Sequence, residues 1–103
     1  MTILGCFARA DITTVNTDQL IGTIDEPGTI NIRLTSRAAT DAKVRIALGT
    51  GGAPAAADYI EYDATLPANV PMEDTGLAVS AGEKIWVRSD TLGVSVRVMG
   101  MPA

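Results

Sequence analysis

The chain has no histidine and one cysteine in its 103 residues. Without histidine it lacks the side chain that most often moves protons near neutral pH and most often ligates metals. A nucleophilic cysteine would have no imidazole to activate it, so Cys6 reads as a small buried apolar residue. A single cysteine also excludes an intrachain disulfide. Aromatic residues are scarce: one Phe, two Tyr and one Trp leave little from which to build a sugar-stacking cleft. No apolar run approaches the roughly 20 residues that cross a bilayer as a helix. The N-terminal MTILGCFARAD lacks the charged start and long apolar centre of a signal peptide. The expectation is a soluble chain made in the cytoplasm, with no membrane partner. Basic residues are outnumbered 8 to 12, giving a net charge of -4. That is the wrong balance for displacing counterions from phosphates, so no direct nucleic-acid partner is expected.

What is present is a globular composition, 47% apolar and 19% charged, with the apolar share in Ala, Val and Ile. The length suits one domain, residues 1–103. Alternation of period two marks strands. Ile30, Ile32 and Leu34 share one face while Asn31, Arg33 and Thr35 share the other, and Val44, Ile46 and Leu48 repeat the inward set with Lys43 and Arg45 outward. These two strands read as neighbours in one layer. FARADITTVN and QLIGTI precede the turn DEPG and read as strands that pair or wrap a sheet edge. GTGGAPAAAD reads as a loop with a helical turn at Ala55 to Ala57; it lacks the Lys and Ser or Thr of a phosphate-binding loop. YIEYDATL follows, with Ile60 and Tyr62 on one side and Tyr59 and Glu61 on the other. After MEDTGLAV, the stretch GEKIWVRSDTLGVSVRVMG, Gly82 to Gly100, reads as a closing hairpin with Ile85, Val87, Val94, Val96 and Val98 inward. About seven or eight short strands with turn signals every 8 to 12 residues or so predict an all-β fold, a single antiparallel β-sandwich or jelly roll.

Chemistry is sparse. Glu61, Asp63, Glu73 and Asp74 would meet if their strands pair, and hard cations take such oxygen ligands. A solvated acidic face is the reading adopted, so neither a metal, a cofactor nor an enzyme activity is expected. More informative are the outward residues of the closing hairpin, Trp86, Arg88, Arg97 and Met99. Trp, Arg and Met are enriched where protein surfaces meet, which makes these four the expected interface seam. In the competing reading the N-terminal segment covers this face and Trp86 is ordinary core.

The succession SRAATDAKVRIALGTGGAPAAADYIEYDATLPAN, then TGLAVSAGEKIWVRSDTLGVSVRVMG, resembles small structural proteins of tailed bacteriophages. The resemblance spans roughly Leu34 to Gly100. It implies a β-sandwich virion component that forms homo-oligomers, often trimers. Such a protein cements or decorates the capsid or tail by contacts with major capsid or tail proteins, and resides in the virion. Residues 1–18 would serve as an N-terminal arm. The alternative is a host-surface carbohydrate- or receptor-binding module using the loops Gly49 to Ala57 and Leu66 to Pro71; a small hydrolase built on the acidic residues is the third.

Overall fold

A computed structural model describes residues 5–102. It contains eight strands: β1 (Gly5–Asp11), β2 (Gln19–Thr23), β3 (Gly28–Ser36), β4 (Ala42–Gly49), β5 (Tyr59–Leu66), β6 (Pro71–Val79), β7 (Lys84–Ser89) and β8 (Val94–Pro102). The one helical element among the described residues is a 3₁₀ turn, Ala56–Asp58, one residue later than expected. Side-chain alternation does what the sequence implies. Ile30, Ile32 and Leu34 of β3, Val44 and Ile46 of β4, Ile85 and Val87 of β7, and Val94, Val96 and Val98 of β8 are all buried in one interior cluster. Phe7, Ile12, Ile24, Leu66 and Val79 complete it from the periphery.

The strands form two four-stranded sheets, β1-β8-β3-β6 and β2-β7-β4-β5, here called sheets A and B. Every pairing is antiparallel: β1 with β8, β2 with β7, β3 with β6 and β4 with β5, while β3·β8 and β4·β7 join these pairs into sheets. The pairs are nested. The first half of the chain runs antiparallel to the second as one long ribbon, folded over itself so that apolar faces meet. This is the jelly roll, the antiparallel sandwich expected from the strand pattern.

Four expectations change. The stretch Gly82 to Gly100 is not a hairpin: β7 lies in sheet B and β8 in sheet A, and the turn between them crosses the sandwich. By the same logic β3 and β4 are in different sheets, not neighbours in one layer. Cys6 is exposed, because Phe7 takes the inward position on β1. Of residues 1–18, offered as an arm, 5–11 are β1, an edge strand of sheet A, and Ile12 is buried; residues 1–4 lie outside the described ones.

Regularity is unevenly distributed. The central pairings β3·β8 and β4·β7 keep register throughout. The four pairings that involve an edge strand all contain a register shift. Bulges twist an edge and interrupt its row of free backbone groups, which hinders addition of a foreign strand.

Candidate functional site

Charge is segregated by the fold. Of the eight basic residues, six lie on the central strands: Arg33 on β3, Lys43 and Arg45 on β4, Lys84 and Arg88 on β7, and Arg97 on β8. None of the twelve acidic residues does; they occupy edge strands and connections. The outer faces are therefore basic and the rim acidic in a protein whose net charge is negative.

On the outer face of sheet B one row crosses all four strands: Leu20 on β2, Trp86 on β7, Ala47 on β4 and Tyr59 on β5. Trp86 and Ala47 are buried yet lie outside the interior cluster, so their cover comes from neighbours on this face. Leu20, directly opposite Trp86, is 45% exposed. β5 carries two irregularities: an extra residue between Tyr59 and Glu61 puts Tyr59 on the same face as Tyr62, with ring centroids 5.2 Å apart, edge to face, and a second lies at Asp63, which adopts φ of 53°. The expectation that Tyr59 and Tyr62 point to opposite sides is thus overturned by the extra residue in the strand. The Arg45 guanidinium lies 3.9 Å from the Tyr62 ring centroid and donates to both Asp63 carboxylate oxygens, at 2.7 and 3.3 Å. The hydrogen-bonded Arg45 holds the Asp63 carboxyl below its ordinary range. The Tyr59 hydroxyl donates to Asp18 at 3.0 Å, and burial, then that carboxylate, raise its pKa. Three of the four aromatic residues, all but Phe7, thus sit outside the interior cluster, with Arg45 packed on Tyr62.

On the outer face of sheet A, register places Arg9 opposite Arg97, Arg97 opposite Arg33, and Arg33 opposite Glu73. Arg33 reaches Glu73 at 3.7 Å. Arg9 and Arg97 make no ion pair or side-chain hydrogen bond among the described residues. In the next row Arg37 donates to Ser95 Oγ at 2.8 Å and pairs with Asp11. Arg9, Asp11, Arg33, Thr35, Ser95 and Arg97 line a surface depression of about 500 Å³. A second one adjoins it across Arg97, lined by Met99, Met101 and Cys6.

The four residues expected to form one seam are therefore divided. Trp86 and Arg88 stand on the face of sheet B, Arg97 and Met99 on the face of sheet A, on opposite sides of the molecule. The expected acidic group also separates: Asp63 pairs with Arg45 and Glu73 with Arg33, while Glu61 and Asp74 meet at the open edge between β5 and β6. Burial, then the neighbouring carboxyl, raises the pKa of Glu61. The Asp74 Oδ2 atom is buried without a hydrogen-bond partner. Among the described residues no three His, Cys, Asp or Glu side chains are placed to hold a metal ion. The loops Gly49 to Ala57 and Leu66 to Pro71 flank β5 at its two ends, so the fold holds them apart.

Arg9, Tyr59, Tyr62 and Leu20 were not among the residues singled out from sequence; alternation marks an outward side chain but not its companions across a sheet. The chain matches no protein-family model, no curated protein and no solved structure.

Proposed function

We propose that the chain is a virion structural protein of a bacteriophage, a self-associating accessory that decorates or cements the particle through its outer sheet faces. The observation that carries the associative part is the aromatic group on sheet B. A small jelly roll with four aromatics that places three of them outside its core, beside exposed Leu20 and two arginines, has the composition of an interface centre. The bulged edges fit the same reading, because they leave faces rather than strands to make contacts. Many copies with modest interfaces hold a large shell or tube by multivalent attachment. The virion location rests on the resemblance over Leu34 to Gly100. Of the other readings, a glycan site is weakened on this face: Trp86 is 9% exposed and the Tyr62 ring is occupied by Arg45.

The test is mass in solution. Light scattering should give a small multiple of 10.7 kDa, three being the expectation. Tyr62→Glu and Leu20→Glu change side chains 60% and 45% exposed and should give a folded monomer. A wild type that stays monomeric and fails to bind particles lacking it would refute the proposal.

A further inference from the structure

The arginine row on sheet A is an arrangement the fold has reason to avoid. Like charges directly opposite one another on antiparallel strands are destabilising. Here Arg9, Arg97 and Arg33 stand abreast on three adjacent strands, spanning about 10 Å from the first to the third. Only Arg33 has a carboxylate partner, at the outer limit of an ion pair, and the other two have none among the described residues. Neither β8 nor β3 carries any acidic residue that could offset the row.

We propose that this row binds a short acidic segment of a different protein, with carboxylates on the three guanidinium groups and an apolar side chain in the adjoining depression beside Met99 and Met101. The guanidinium fork matches the two oxygens of a carboxylate, so three in line form a ladder for closely spaced Asp or Glu side chains. Glu73 closes the row at its Arg33 end, and Asp11 lies in the neighbouring row, opposite Ser95. A continuous polyanion such as a nucleic-acid strand would meet a carboxylate on leaving the row, whereas a compact acidic segment would not. The apolar depression that shares Arg97 calls for a ligand carrying both kinds of side chain, which a polypeptide does.

The segment is assigned to another protein rather than to a second copy because this chain's carboxylates are already engaged. Asp41, Asp58, Asp90 and Glu83 accept backbone N–H bonds in turns. Asp11, Asp63 and Glu73 hold arginines, Asp18 holds Tyr59, and Asp25 has a partner too. What remains is Glu26 and the Glu61–Asp74 pair, too few and too far apart in the fold to supply a row. The proposal is independent of self-association, which involves the opposite face.

The test uses a fluorescent peptide with three consecutive acidic residues beside a leucine, read by anisotropy against the full chain. Arg97→Gln should weaken binding by about tenfold or more while raising the thermal midpoint, since it removes a like-charge neighbour from both sides. Arg88→Gln, on the other sheet, should leave affinity unchanged, and salt should weaken binding. Three outcomes overturn the assignment: no peptide binding by the wild type, equal binding by Arg97→Gln, or tighter capture of a single-stranded oligonucleotide through the same arginines. A wild type that is monomeric but binds the peptide in an Arg97-dependent way would sink self-association and leave this site standing.

Discussion

Glu61 is a residue whose ionisation works against the fold. It stands across from Asp74 at the open edge of the sandwich, and its carboxyl holds its proton to higher pH than in the unfolded chain. The folded state therefore binds the extra proton. Its stabilising share is complete below the ordinary Glu range and is lost as pH rises through the raised value. Glu61→Gln is expected to raise the thermal midpoint at pH 7 by an amount worth less than about 1 kcal/mol, and to leave it unchanged at pH 4. Differential scanning calorimetry at the two pH values decides this; equal shifts at both would show that the charge plays no part. Charged side chains pointing inward at an edge also obstruct strand addition, which gives the pair a structural use despite its cost. The residue scale is where the sequence was least informative about the site. Alternation correctly turns Trp86, Arg88, Arg97, Arg33 and Arg45 outward. It does not tell one outer face from the other, and so it joins Trp86 to Arg97.

At the scale of elements, the inward rows were legible because burial of alternate side chains is a local property. Ile30, Ile32, Leu34, Val44 and Ile46, with the valines of β8, need no knowledge of the partner strand to be assigned to the interior. Partnership is not local. A connection as short as that between Ser89 and Val94 serves a hairpin or a crossing between sheets equally well, and each presents the same alternation. Bulges were illegible for a related reason. Asp63 is an ordinary residue held at φ of 53° by a tertiary setting that includes Arg45, and the extra residue between Tyr59 and Glu61, which puts Tyr59 and Tyr62 on one face, is an ordinary isoleucine. The bulge in β6 is more readable, since it contains a glycine. Gly76 has φ of 69°, its N–H donates to Asn31 Oδ1 at 2.9 Å, and a Cβ there would touch nothing within 4 Å. Gly76→Ala is accordingly expected to cost about 1 kcal/mol through backbone conformation alone, and Gly76→Asn less. Urea midpoints measure both; a larger loss for Asn than for Ala would mean that sterics rather than φ govern the position.

For the whole molecule, the nested pairing sets an order of completion. The innermost pair, β4 with β5, is closest in sequence; β3·β6 encloses it; β7 then joins β2 to β4, and β8 joins β1 to β3. Non-local pairing of this kind is slow to form, and refolding is expected on a timescale of about milliseconds to seconds, measurable by stopped-flow Trp86 fluorescence. Microsecond refolding would contradict the nested topology. The strands that close both sheets, β7 and β8, are also the last of the eight to be synthesised. Until Val94 to Pro102 clears the ribosome, β1 has no hydrogen-bonding partner and Ile30, Ile32 and Leu34 lack the valines that cover them. A translating polysome therefore carries a train of unfinished jelly rolls, each with its apolar lining open to its neighbours until its own β8 has emerged.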